Sequence, residues 1–157
     1  MDPRKDSKLV KVSAEKFARR SRVVIADDDL LILSELEELL RASFEVVGRA
    51  ENGRELLDVV GSVYPDVVVT DISMPEMNGI KATGHLKSSH PNVKVVVLSA
   101  YEDEALITTA FAAGASGYVV KQQALTELIP AIKAVLSGKQ HRPQIERQRV
   151  IKTRASG

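Results

Sequence analysis

The run Pro65-Asp66-Val67-Val68-Val69-Thr70-Asp71-Ile72-Ser73-Met74-Pro75-Glu76-Met77-Asn78-Gly79 decides how this chain is read. Residues 67–70 are all β-branched, so they read as a strand. The lack of polar alternation among them marks a strand buried on both faces. Such strands belong to parallel sheets covered by helices. Pro75 and Gly79 turn the chain sharply afterwards, which leaves the Asp71 carboxylate at the strand's carboxyl end. Ligands of open parallel sheets gather at that edge.

Outward from this segment the same alternation recurs. Arg22-Val23-Val24-Ile25-Ala26 is a short buried strand ending in Asp27-Asp28-Asp29. A helix is predicted over Leu30–Ser43, with Leu33, Leu36 and Leu40 on one face. Glu45–Ala50 is a second strand, and Glu51-Asn52-Gly53 a turn into a helix over Arg54–Ser62 whose Leu56, Leu57 and Val60 face the sheet. After the central strand, a helix over Ile80–Ser89 stops before Pro91. The fourth strand, Val93–Leu98, closes on Ser99-Ala100. A helix over Glu102–Ala113 then ends at Gly114, the expected C-terminal glycine. Gly117–Val120 is the fifth strand, with Lys121 at its end. The last helix carries Leu125, Leu128, Ile129, Ile132, Val135 and Leu136 as an apolar stripe. Pro130 lacks the N–H for the bond to residue 126, so this helix is expected to begin near Thr126. Five strands alternating with five helices call for an α/β fold: a doubly wound, five-stranded parallel sheet with helices on both faces.

Composition sets the bounds. The 157 residues suffice for one core and its flanking tails. Without Cys there is no disulfide framework, thiol nucleophile or Cys-based zinc site, which suits a reducing cytoplasm. No apolar run is long enough to span a membrane, and the start MDPRKDSK has no signal-peptide core. The net charge of +1 is unevenly spread: residues 1–22 and 138–157 each carry +5, and residues 23–137 carry −9. An acidic domain (21–137) between a basic N-terminal arm (1–20) and a basic C-terminal linker or tail (138–157) is the expected organisation. Short charged ends are more often solvated than bound to nucleic acid. Val10, Ala14 and Phe17 have helical spacing within the arm but no cap.

Four strand ends now carry polar groups: Asp27 and Asp28, Asp71, Ser99 and Lys121. In a parallel sheet these ends share one rim. Crowded carboxylates repel, so the cluster must hold a proton or a cation. Hard oxygen donors without Cys or His favour Mg²⁺ or Mn²⁺. A carboxylate, a divalent cation, an ammonium and a hydroxyl suit phosphoryl transfer, with Asp71 attacking in line to give an acyl phosphate. Taken singly, each residue has a plainer reading: the Asp triplet as a helix cap, Lys121 as a solvated lysine, Ser99 as a turn former, and Tyr118 as a strand aromatic. Their placement on successive strand ends is what favours a site. His85, His90 and His141 form no ligand-like group.

Asp27-Asp28, the segment Asp71–Gly79, Leu98-Ser99-Ala100 and the segment Gly114–Lys121, in that order, resemble the receiver domain of two-component response regulators over residues 21–137. The resemblance implies the flavodoxin-like strand order 2-1-3-4-5. It implies that Asp71 is phosphorylated by a histidine kinase, and that Mg²⁺ is held by Asp28 directly, by Asp27 mainly through water, and by Asp71 and the Ser73 carbonyl. It further implies that Ser99 and Lys121 contact the phosphoryl group and that Tyr118 moves inward as part of the switch. The family's switching face maps to residues 102–137, and a homodimer through it is one expected assembly. Gln122 stands where many members have proline, which casts doubt on the cis peptide often found there, and Asp29 is an extra acid with a capping role available. Residues 138–143 resemble the linker that leads to a helix-turn-helix domain, so DNA is expected as a partner only through a domain outside these 157 residues; a single-domain regulator is the alternative. The rival enzyme reading makes Asp27 and Asp29 the nucleophile and acid of an aspartate-dependent Mg²⁺ phosphohydrolase, which leaves the Asp71 loop without a role. A third reading, a pure binding module with a structural cation, predicts no phosphoadduct.

Overall fold

The computed structural model describes residues 19–143, so the N-terminal helix expected around Val10–Phe17 lies outside the described residues. The elements in order are β1 (Arg22–Ala26), α1 (Leu30–Leu40), β2 (Glu45–Ala50), α2 (Gly53–Val63), β3 (Val67–Thr70), α3 (Gly79–Ser89), β4 (Lys94–Ser99), α4 (Glu104–Ala113), β5 (Gly117–Val120), a 3₁₀ turn (Lys121–Gln123) and α5 (Ala124–Leu136). The strands form one parallel sheet in the order β2-β1-β3-β4-β5. This is the doubly wound order expected.

Strand side chains alternate between two apolar layers, as the two-residue strand period requires. Val23, Ile25, Val67, Val69, Val96, Leu98 and Val119 pack against Leu33, Leu36 and Leu40 of α1 and Leu128, Ile132 and Val135 of α5. Val24, Val68, Val95, Val97, Tyr118 and Val120 face the other way, toward Leu56 and Val60 of α2, Leu86 of α3 and Ile107 of α4. Both sheet faces are thus covered, which explains why the strands read as unbroken apolar runs.

Helix starts follow cap chemistry. Asp29 Oδ1 accepts from the Leu31 and Ile32 amides at 2.9 and 3.4 Å, and Asn52, Asn78 and Asp103 cap α2, α3 and α4 in the same manner. Gly114 ends α4 at φ 115°. The Lys87 side chain crosses it so closely that a Cβ at position 114 would meet Lys87 Cγ at 2.1 Å.

Two expectations about α5 need correction. The helix starts at Ala124, directly after the 3₁₀ turn, and Pro130 lies inside it. Pro130 and Thr126 are both exposed, so the carbonyl that loses its partner faces water and the ladder closes around the gap. Leu125, expected in the apolar stripe, lies in the first turn of this helix and is 83% exposed. In the segment read as a tail, residues 138–143 lie against the edge of β5 through a parallel bridge between His141 and Gly117. All described peptide bonds are trans, including 121–122.

Candidate active site

Strand register builds the rim. Ala26 lies opposite Ala50 and Thr70, Thr70 opposite Val97, and Ser99 opposite Val120. The ladder then runs one residue past the strands: the Asp27 amide donates to Ala50 O at 3.0 Å and the Asp71 amide to Ala26 O at 2.9 Å. Asp27 and Asp71 therefore leave adjacent strands at one level, and Lys121 follows β5 two strands away.

The side chains converge. Lys121 Nζ lies 2.9 Å from Asp27 Oδ2 and 3.4 Å from Asp71 Oδ1. Asp27, only 1% exposed, also accepts the Asp29 amide through Oδ1 at 2.9 Å. Asp71 Oδ1 accepts the Ile72 amide at 2.8 Å, and no hydrogen bond from a described residue reaches Oδ2. Asp28 is exposed, and one carboxylate oxygen from each of Asp27, Asp28 and Asp71 falls within 4.8 Å of the others. An all-carboxylate donor set of this spacing fits a hard divalent cation. Ser99 is fully buried and its Oγ accepts the Tyr101 amide at 3.1 Å. Tyr118 is likewise buried, with its ring inward and its hydroxyl donating to Tyr101 O at 2.7 Å. Ser73 is exposed on the loop after Asp71, and Asp29 spends its carboxylate on the α1 cap.

Electrostatics follow from burial and these neighbours. Burial pushes the Asp71 carboxyl above the usual carboxylate range and the Asp27 charge adds to this, opposed by Lys121 and the Ile72 amide. For Lys121, burial works against the ammonium. The Asp27 hydrogen bond and the charges of Asp71 and Asp27 outweigh it, so its pKa lies above the normal lysine value. Burial likewise raises the Tyr118 phenol. The site is thus a buried acid held against a firmly protonated lysine.

Of three supporting residues, Thr70 and Gly53 carried no site signal in the sequence, and Gly79 was read as the turn that ends the Asp71 loop. Thr70 Oγ1 donates to Asp71 O at 2.9 Å. The Gly53 amide donates to Met77 O at 2.9 Å, where a Cβ would sit 2.2 Å from that oxygen. Gly79 approaches Asp71 O so closely that its Cβ would fall at 1.9 Å. Asn52-Gly53 reads locally as a turn, and only the fold places it under the Asp71 loop.

Comparison with known proteins agrees with this geometry. The family model for the response regulator receiver domain matches residues 23–133. The transcriptional regulatory protein DegU of Brevibacillus brevis is 40% identical over 119 residues, 74% of this chain and 50% of DegU. The response regulator GacA of Pseudomonas viridiflava is 36% identical over 135 residues, covering 84% of this chain and 63% of GacA. The chemotaxis protein CheY of Thermotoga maritima is 37% identical over 115 residues, 73% of this chain and 96% of CheY. The chain thus spans 50% of the length of DegU, 63% of GacA and nearly all of CheY. Among solved structures, the isolated receiver domain of RcsB from Salmonella enterica serovar Typhimurium, determined with the phosphomimetic beryllofluoride, superposes with a TM-score of 0.74 at 28% identity. That match covers 80% of this chain and 95% of the RcsB domain. The sheet order, the converging rim and these matches lead to one conclusion: the chain belongs to the response regulator receiver family, and its function is that of a phosphoacceptor switch.

Proposed function

We propose that Asp71 is the phosphoacceptor and that the donor is a histidine kinase carrying phosphohistidine. Asp71 Oδ2 attacks phosphorus in line with the leaving imidazole nitrogen. The new O–P bond forms as the N–P bond breaks, and the imidazole takes up a proton. Lys121 neutralises charge on the transferred oxygens, and the Ser99 hydroxyl turns to donate to one of them. Asp28, Asp27, Asp71 and the Ser73 carbonyl would hold Mg²⁺, or Mn²⁺, which would offset charge on the phosphoryl oxygens. Hydrolysis of the acyl phosphate returns the carboxylate, so the only chemistry catalysed is the chain's own phosphorylation and dephosphorylation. The modified side chain carries roughly −1.5 to −2 charges at neutral pH, and Ser99 and Tyr118 pass this change to the face formed by residues 102–137.

Residues 21–137 act as the receiver unit between the basic arm and the basic linker. Homodimerisation through residues 102–137 is the output nearest the site, and DNA is reached through a domain outside these residues. A solved structure of RcsB holds two dimers bound to two parallel DNAs. No described helix is long and apolar enough to cross a membrane, and we place the protein in the cytoplasm beside its kinase.

The observation that carries this reading is the meeting of Lys121 with both Asp27 and Asp71. Intact-mass measurement after incubation with acetyl phosphate and Mg²⁺ tests it. The native chain gains one phosphoryl group and Asp71→Asn gains none. Label that survives in Asp71→Asn and vanishes in Asp27→Asn would instead establish the phosphohydrolase-like alternative.

A further inference from the structure

The chain does not leave the domain where α5 ends. It turns at Gly138, whose φ is 89°, and comes back along β5, the outer strand of the sheet. The Lys139 amide donates to Ala134 O at 2.9 Å, the His141 amide to Ser116 O at 3.0 Å, and the Tyr118 amide to His141 O at 2.9 Å. Side chains extend the contact: His141 Nε2 lies 3.2 Å from Glu127 Oε2 on α5, and the Arg142 guanidinium sits 4.0 Å above the Phe111 ring on α4. A Cβ built on Gly117 would lie 3.6 Å from His141 Cβ, an ordinary contact distance, so the strap packs directly on this residue. The segment therefore bridges α5, β5 and α4.

The segment bridges Gly117 and takes the amide of the next residue, Tyr118, on the His141 carbonyl, and Tyr118 leads back to the site. The tyrosine hydroxyl is bound to Tyr101 O, and the Tyr101 amide to Ser99 Oγ. One continuous path thus runs from Ser99 through Tyr101 and Tyr118 to His141. We infer that residues 139–142 are a strap that is docked on the β5 edge while Asp71 is unmodified and is released on phosphorylation. The first residues beyond the domain then report the state of the site. This rests on Asp71 being the phosphoacceptor. When Ser99 turns to a phosphoryl group it gives up the Tyr101 amide, the 100–101 loop moves, and the acceptor of the Tyr118 hydroxyl moves with it. On its inner side β5 is held by the whole β4 ladder and the core. On its outer side the strap adds, among the described residues, no more than three backbone hydrogen bonds and two side-chain pairs, so the strap is the part that yields. Coupling of this kind is reciprocal: a weaker strap must favour the phosphorylated form by the same factor.

Amide exchange followed by NMR on the whole chain tests this, with and without beryllofluoride and Mg²⁺. The His141 and Tyr118 amides are expected to exchange about tenfold faster in the adduct, within the usual range of coupling factors. A second arm uses the double variant His141→Pro, Arg142→Ala, which removes one bridge donor and the cation without touching the site or the core. Its affinity for beryllofluoride, read by fluorine NMR, is expected to rise by up to the same factor. Unchanged or slower exchange in a fully formed adduct, or unchanged beryllofluoride affinity in the double variant, overturns the strap and leaves Asp71 as acceptor. Failure of the native chain to form the adduct overturns both.

Discussion

Replacing Lys121 by Met keeps most of the side-chain volume and removes the one cation within 4 Å of Asp27 and Asp71 among the described residues. Taking one partner from a fully buried ion pair costs about 3–5 kcal/mol, because the other charge stays behind uncompensated. Asp27 is that kind of residue, with its side chain 1% exposed, but Lys121 keeps 23% of its own side-chain surface in water. Exposed pairs contribute only about 0–1 kcal/mol, so a loss of about 2 kcal/mol is expected. In urea this lowers the unfolding midpoint by roughly 1 M. Two further measurements tie the loss to the carboxylates rather than to packing. Asp27→Asn added to Lys121→Met recovers at least half of it. Titrating Mg²⁺ narrows the gap between the native chain and Lys121→Met, since carboxylates without the competing ammonium bind the cation more tightly, and each tenfold gain in affinity adds about 1.4 kcal/mol to the variant relative to the native chain at saturation. A Lys121→Met chain as stable as the native one, or a deficit indifferent to both Asp27→Asn and Mg²⁺, would refute the electrostatic account of the rim.

Two more outcomes follow from the same structure. The Asp71 carboxyl has a raised pKa in the folded chain, so the native state binds the proton more tightly than the unfolded state. Its contribution therefore favours folding on the acid side and is lost as pH rises through the folded pKa. Asp71→Asn is expected to gain stability over the native chain as pH climbs through the carboxylate range, by urea unfolding without metal; a constant difference would contradict the shift. The two glycines of α2 should respond in opposite directions. Gly61→Ala has no heavy atom within 4 Å of the new Cβ and is expected to stabilise by about 0.5–1 kcal/mol. Gly53→Ala drives its Cβ into the Met77 carbonyl and is expected to destabilise by about 1–3 kcal/mol and to slow phosphorylation by acetyl phosphate. Equal behaviour of the two variants in unfolding and labelling would show that Gly53 does not brace the Asp71 loop.

What was legible in the sequence was what depends on local chemistry and on period. The β-branched runs, the apolar faces of α1 and α2, the Asn and Asp caps and Gly114 specify elements by nearest neighbours, so β1, β2, β3 and β5 emerge with the bounds read from the residues. The candidate site was legible for a related reason: in a parallel sheet every strand's carboxyl end lies on one edge, so Asp27, Asp71, Ser99 and Lys121 had to share a rim before any distance was known. What remained depends on which side of a distant element meets water. Pro130 is tolerated within α5 because its face is solvated, and Leu125 keeps the helical spacing of the stripe yet finds no apolar neighbour among the described residues to cover it in the first turn. Gly53 matters because α2 begins beneath a loop more than twenty residues later, and His141 because β5 is an edge with backbone to spare. Spacing along the chain carries none of that, since such contacts are set by packing between segments that only the folded sheet brings together.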